Sequence, residues 1–520
     1  MHEHVQPSKG ADTPGLSRHI RMTVAGVGLD PGAGAPRRRI PTPVSEVAHP
    51  SRDERRARGK AARSAVPRAR HSELPIETAR RDPLALLAQQ AVSRVPELVP
   101  IRYGRMMASE FAFFRGAAYV MASDLHHTPD SGISVQLCGD AHLSNFGVFG
   151  SPERRLIFDI NDFDETHPGP WEWDLKRLAA SFEIACRDQG IPARERTTIV
   201  ARVVHAYRHA MIDFAGKSNL EVWYARLDTE SYLEDARAGI GRDLHEMVIG
   251  RAERILKKAR AKDSMHALSR MTHRVDGQLR ITPDPPLVVP LGDLVDMDDL
   301  SNWTHLMLQA YRQTLPPDRR YLLEQYRLVD VARKVVGVGS VGTRCFIALL
   351  LGADDNDPLF LQVKEAQASV LEPFLGHSMY ANHGERVIAG QRTMQAASDI
   401  FLGWQREAGD VDGVARDFYW RQLRDWKGSA DIAQMDPVRF TAYADLCGWT
   451  LARAHARSGD RIAIAAYVGR SERLDEAVTE FSCQYADLNA SDYARLCAAV
   501  AEGRITADLE GGSPPEPPAM

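Results

Sequence analysis

The sequence predicts an α+β fold built as a large helical lobe and a small antiparallel-sheet lobe. Three observations predict it. At 520 residues the chain is too long for one hydrophobic core, since single cores stop growing near about 250 to 300 residues. Long amphipathic stretches, "WDLKRLAASFEIACRD" and "RTTIVARVVHAYRHAMIDFA", carry apolar residues at helical spacing. One later segment, "ARKVVGVGSVGTRCFIALLLGADDNDPLFLQVKEA", changes texture and clusters Val, Ile, Leu and Phe around Gly and an Asp-Asn-Asp turn, as a small antiparallel sheet does.

From Met1 to about Glu77 the chain is rich in Pro, Gly, Ala, Ser and Arg and is expected to be disordered. Between Arg37 and Arg70, eleven Lys or Arg stand against Glu46, Asp53 and Glu54. A nucleic-acid-binding arm is conceivable there, but the lack of interleaved aromatics favours a solvated tail. Order is expected to begin with a helix at Asp82-Pro83, where Leu84, Leu87 and Ala91 recur at helical spacing. "SGISVQLCGD" reads as a strand, and "GVFGSPERRLIFDINDFDE" as two strands around a turn at Gly150-Ser151-Pro152. Residues from about Glu172 to Leu328 read as mostly helical, the sheet follows, and helices resume from about Gly384 to Glu502. No internal repeat is evident. The expected divisions are a basic arm over 1–78, the helical lobe with the candidate catalytic loop over 79–330, the sheet lobe with its helix over 331–404, helices completing the large lobe over 405–508, and a disordered tail over 509–520.

Composition narrows the function classes. Hydrophobic content of 44%, 26% charged residues and a net charge of −4 give no global attraction to nucleic acid or membrane. The longest strongly apolar run, "FIALLL", is far below the roughly 20 residues of a membrane helix. Six scattered cysteines without a CxxC pair argue against a disulfide framework or a zinc site and fit a reducing cytoplasm. A cytoplasmic protein without membrane association is expected.

The chemistry concentrates in a few stretches. "GDAHLSNF" places Asp140, His142 and Asn145 on one loop, and "DINDFDE" follows with Asp159, Asp162, Asp164 and Glu165. As a mere turn, Asp140 would need no company; carboxylates crowded on the adjoining hairpin repel one another without a cation. Phosphoryl transfer uses such a set: one carboxylate orients the attacking hydroxyl while an amide oxygen and further carboxylates hold Mg²⁺. Downstream, "GVGSVG" (Gly337, Gly339, Ser340 and Gly342 among its residues) lies between strand-like runs, and Lys364 follows on the next strand. That context favours a phosphate-covering loop over a dinucleotide turn, which would open a helix. Glu385, early in the following helix, could pair with Lys364; Glu365 and Glu372 are alternatives. His142 is expected to brace its loop by hydrogen bonding and His455 to pack in the core. Arg102, Arg105 and Arg115 either line the acceptor side or, as favoured here, pair with the acidic cluster.

These residues resemble the protein-kinase-like superfamily, especially the aminoglycoside phosphotransferase branch, whose catalytic loop runs HGDxHxxN. "CGDAHLSN" matches at Gly139, Asp140, His142 and Asn145, with Cys138 in place of the leading histidine. "NDFDETHPGPWEWDLKRLA" is similar to the branch's metal hairpin and its continuation. The resemblance implies that Asp162 is the second metal ligand, that Asp164 assists with metal, that Asp159 is structural, and that Asp174 is a buried brace for the catalytic loop. "VPIRYGRM", "QLCGDAHLSNFG", "GVGSVGTRCF", "QVKEA" and "ASDIFLGW" are also similar to the uncharacterised bacterial family called domain of unknown function twenty-two fifty-two, over about residues 80 to 500.

A kinase-like chain runs glycine loop, lysine, helical glutamate, catalytic loop, metal aspartate. Here Asp140 precedes Gly337 by nearly two hundred residues. The branch's LAxLH helix, which normally precedes the catalytic loop, is matched by "LARAHARSGD" (Leu451 to Asp460) near the C-terminus. The pieces therefore fall in cyclic order, implying a circularly permuted kinase-like fold, which is physically acceptable because surface termini can be relocated at modest cost. The implied activity is Mg²⁺-dependent, ATP-using phosphotransfer to a small-molecule or protein acceptor. Nucleotidyl (AMP) transfer on the same fold and a non-catalytic nucleotide-binding pseudoenzyme are the alternatives.

Overall fold

Asp82 begins the first helix of the helical body as its sequence requires. Its carboxylate accepts from Ala85 N at 3.3 Å and Pro83 occupies the first turn of the helix Pro83–Ala91. This is a computed structural model, and it describes residues 49–75, 80–237, 246–261, 263–294, 297–409, 413–423 and 426–509.

The N-terminal expectation needs correction inside 49–75. Ser51 and Glu54 form a capping box that starts a helix over Arg52–Ala65, and that helix lies against the helix Arg461–Val468. A short turn of helix follows, Arg68–Ser72, whose His71 ring is fully buried and bonded to the Tyr467 hydroxyl at 2.7 Å. Alternating arginines and alanines hid this segment, because its partner surface lies four hundred residues away. The expectations for 1–48, 76–79 and 510–520 fall outside the described residues.

Short strands carry the candidate catalytic-loop region: β1 (Ser134–Leu137), β2 (Phe146–Gly150), β3 (Leu156–Ile160) and β4 (His167–Pro170). β2 and β3 form the expected hairpin, β1 pairs with β4, and β5 (Leu227–Asp228) adds to β3. β3 is buried at every residue, so it reads as a continuous apolar run ending in carboxylates. Four long helices enclose this region: Trp171–Asp188, Ala193–Gly216, Pro437–Ser458 and Arg473–Ala501. Their apolar faces and those of β1 to β3 make the main core.

The stretch from Glu172 to Leu328 is less uniformly helical than its sequence suggests. It contains the hairpin β6 (Thr272–Val275) and β7 (Gln278–Ile281), then β8 (Val288–Pro290), which joins the large sheet as an edge strand. Past the expected β9 (Arg327–Lys334), β10 (Cys345–Leu351) and β11 (Pro358–Ala366), two more strands interrupt a region read as helical: β12 (Gly403–Glu407) and β13 (Arg416–Gln422). β13 carries Phe418, Tyr419 and Trp420 in succession, an aromatic run that favours strand over helix. β14 (Gly428–Ser429) pairs back onto β2.

The large sheet is six-stranded and antiparallel throughout, in the order β12-β13-β11-β10-β9-β8. One face packs Phe346, Leu361, Phe418 and Trp420 against Tyr311 of the helix Met297–Thr314. The other face is divided. Ile347, Leu349 and Phe360 are apolar and sit with Met271 and Ile281, whereas Gln362, Lys364, Tyr419 and Arg421 continue the same face as a polar strip. That strip faces the acidic hairpin. Among the described residues no helix is long and apolar enough to cross a membrane.

Candidate functional site

The catalytic-loop candidate is held from below by a carboxylate. Asp174, in the first turn of the helix Trp171–Asp188, accepts from Cys138 N at 2.8 Å and from Gly139 N at 3.0 Å. Gly139 has φ of +84°, and a Cβ there would stand 2.2 Å from the Glu165 carbonyl, so only glycine fits. His455 Nε2 lies 3.3 Å from Asp174 Oδ2 and its Nδ1 2.9 Å from the Tyr207 hydroxyl, so this histidine ties the helix Pro437–Ser458 to the brace in addition to packing in the core. From the same helix, the Tyr443 hydroxyl donates to the carbonyls of Leu143 and Phe146 at 2.9 and 3.0 Å. Asp174→Ala leaves two buried amides without acceptors, each worth about 1 to 3 kcal/mol. Urea unfolding is expected to show a loss of about 3 kcal/mol, and a loss below about 1 kcal/mol would remove the brace from the account.

Asp140 lines the cleft and is fixed by a residue the sequence did not single out. Arg177 Nε donates to Asp140 Oδ1 at 2.6 Å, while the guanidinium also reaches the Phe114 carbonyl and lies over its ring. Arg177 stands three residues after Asp174, one helical turn away on the same face; that spacing was the available signal. His142 does not brace the loop as expected. Its ring makes no hydrogen bond to any described residue; Nε2 lies 3.8 Å from Asp140 Oδ2, and the ring packs edge-on to Phe111. Burial lowers its pKa to about 4 against the pull of Asp140, so it is neutral near pH 7.

Asn145 is buried and both contacts of its amide nitrogen are to backbone carbonyls, Asp140 at 3.2 Å and Asp162 at 2.9 Å. Two acceptors on the nitrogen leave the side-chain oxygen as the group available to a cation. Asp162 and Asp164 meet Lys364, whose Nζ is 3.2 Å from Asp162 Oδ2 and 2.9 Å from Asp164 Oδ2. The Tyr419 hydroxyl donates to the other oxygen of Asp164. Burial alone would raise the Asp162 pKa, but Lys364, Arg421 and Lys427 outweigh it and hold the carboxyl below its usual range. Asp164 is pushed up by burial and by the charge of Asp162. Lys364 is raised because the two carboxylates outweigh its burial. Among the described residues no three His, Cys, Asp or Glu side chains are grouped as a metal site; the donors available are Asp162, Asp164 and the Asn145 amide. Two carboxylates and an amide suit Mg²⁺, which is commonly bound by few protein oxygens together with phosphate and water.

The lysine's partner differs from expectation. Glu385 donates its backbone N–H to the Asn382 cap at 3.0 Å and does not reach Lys364. Its neighbour Arg386 links the helix His383–Met394 to the acidic hairpin instead, donating to the carbonyls of Thr166, Asp164 and Gln367 at 2.6, 2.8 and 2.9 Å. The alternatives fail as well: Glu365 pairs with Arg344 at 3.3 Å, and Glu372 accepts from Ser369 N. Asp159 is structural as expected, in a buried pair with Arg453.

The glycine loop lies between β9 and β10 and faces the same cleft. This cleft, about 1370 Å³, is lined by Gly337, Gly339 and Ser340 together with Asp140, Asn145, Asp162 and Asp164. Gly342 is not among the lining residues; its φ is +91° and a Cβ would press on the Arg94 side chain at 3.0 Å. Arg102, Arg105 and Arg115 do not pair with the acidic cluster. Arg102 donates to Gln90 and Gly116, and Arg105 to the Gly337 carbonyl at 2.6 Å.

Glu165, also on the cleft wall, is raised from 4.5 to about 7, chiefly by burial. A raised carboxyl contributes stability that is complete below about pH 4.5 and lost as pH climbs through about 7. Relative to Glu165→Gln, the wild type is expected to lose stability between pH 5 and pH 8. Equal changes in the urea midpoints of the two proteins over that interval would contradict the shift.

The model of a family described as "Uncharacterized protein conserved in bacteria (DUF2252)" matches residues 94–499. No curated protein and no solved structure matches the chain.

Proposed function

The chain belongs to the DUF2252 family, and from its own residues we propose that it is a Mg²⁺-dependent, ATP-using phosphotransferase with a circularly permuted kinase-like architecture. The observation that carries this reading is the meeting of Lys364 with Asp162 and Asp164 beside the cleft lined by Asp140, Asn145 and the glycine loop. Segments two hundred residues apart converge as phosphoryl transfer requires. A glycine loop joining two strands and a lysine on the next strand also follow the kinase pattern of a phosphate cover with a phosphate-gripping cation.

In this reading Asp162 and the Asn145 oxygen hold Mg²⁺, which when bound neutralises charge on the phosphates. Asp164, with one oxygen on Tyr419 and the other on Lys364, positions the lysine, the task the sequence assigned to Glu385. Lys364 directs its charge at the phosphates, and the backbone amides of Gly337 to Ser340 approach them closely. Asp140 has Oδ1 fixed by Arg177; Oδ2 accepts the hydrogen bond of the acceptor hydroxyl and orients it for attack.

Incubation of the full chain with ATP labelled at the α or the γ phosphate, against metabolite and protein acceptors, tests the proposal. Transfer of γ label is expected. Transfer of α label would assign nucleotidyl transfer instead, and Mg-ATP binding without any transfer would make the chain a binding module.

A further inference from the structure

The cleft contains cationic groups that the proposed reaction does not use. Arg115 lines it beside the glycine loop, its own backbone carbonyl 3.1 Å from where a Cβ on Gly339 would stand. Its guanidinium makes no hydrogen bond and no ion pair with any described residue, and its Nε is buried without a partner. Arg94 lines the same wall and is 8% exposed. It donates through Nη1 to the Val341 carbonyl, while its Nε is buried and unbonded and no carboxylate among the described residues pairs with it.

No described carboxylate forms an ion pair with either arginine. One oxygen of Asp140 is held by Arg177, Asp162 and Asp164 meet Lys364, Glu365 pairs with Arg344, and Glu165 accepts from Val370 N at 2.8 Å. Enclosing a cation without a counter-ion is unfavourable; Arg94 is buried, and Arg115 is partly buried with its Nε enclosed. Burial accordingly lowers the pKa of both arginines, Arg94 to about 10, with Glu165 and Asp140 respectively opposing. Two such groups on one wall, next to backbone amides of a glycine loop, form an arrangement that an oxyanion completes.

We propose that Arg94 and Arg115, with the glycine loop, form a receptor for a phosphate group that binds independently of Mg²⁺ and of the Lys364 and Asp162 pair. The phosphate belongs either to the nucleotide's terminal position or to a phosphorylated acceptor. The site takes its setting from the phosphotransferase reading but does not depend on it, because its ligand binds without metal.

Inorganic phosphate is the probe, titrated without Mg²⁺ against the full chain by calorimetry and thermal shift. Wild type and Asp162→Asn are expected to bind it alike, while Arg94→Gln and Arg115→Gln weaken it at least about tenfold and Arg115→Lys falls between. Because Arg115 makes no hydrogen bond or ion pair among the described residues, Arg115→Gln is also expected to leave the urea midpoint unchanged or raised; a structural arginine would lower it. Absence of phosphate binding at tens of millimolar, or equal binding by wild type and both glutamine variants, overturns the proposal. Competition identifies the source: displacement by Mg-ATP but not Mg-ADP assigns the nucleotide's terminal phosphate, and binding alongside Mg-ATP assigns the acceptor. If Mg-ATP itself fails to bind, the phosphotransferase reading falls while the phosphate titration still decides this one.

Discussion

Asp162→Asn is expected to lower transfer from Mg-ATP by about 10³-fold while leaving the protein folded, because electrostatic and positioning groups supply most of the catalysis in phosphoryl transfer. The substitution keeps the size and shape of the side chain and removes one of the two carboxylates that meet Lys364, while Asp164 still pairs with the lysine. Asp140→Ala is expected to have a comparable effect on turnover through a different route, loss of the group proposed to orient the acceptor. Single-turnover transfer of γ label, with far-ultraviolet circular dichroism and urea melts as controls, measures both. Unchanged activity in the two folded variants would sink the assignment of these residues.

The largest expected loss of stability comes from Asp159→Ala. Asp159 and Arg453 are each 1% exposed and bonded to one another. Asp159 also accepts from Ile160 N and Ala396 N at 2.8 and 2.9 Å, and Arg453 donates to the Met394 carbonyl at 2.6 Å. Removing the carboxylate strands a guanidinium that burial already disfavours, a loss of about 3 to 5 kcal/mol. Replacing both partners, as in Asp159→Leu with Arg453→Met, is expected to recover much of it. Urea denaturation measures the pair, and a single-variant loss below about 1 kcal/mol would contradict the burial argument.

The acidic hairpin, the glycine loop and the lysine strand were legible because each is local. "GDAHLSN" and "NDFDE" declare themselves by residue type and spacing, and the apolar clustering around "GVGSVG" marks strands without reference to the rest of the chain. β12 and β13 were misread because the aromatic run on β13 was swallowed in a long helical reading, and the helix Arg52–Ala65 because its charge resembled a tail. Both needed a partner surface to be recognised.

The sequence by itself determined which residues the proposed phosphoryl chemistry draws on and the order in which they come along the chain. Only the tertiary structure decided who meets whom: that Lys364 is held by Asp164, itself fixed by Tyr419, while Glu385 is not within its reach, that Arg177 fixes Asp140, and that Arg115 has no ion-pair partner among the described residues beside the glycine loop. The physical reason is that side-chain partners across a cleft are set by how separately formed elements pack. Local propensity fixes an element's type and face, whereas the choice among several carboxylates for one lysine depends on angstrom-scale placement that no spacing along the chain encodes.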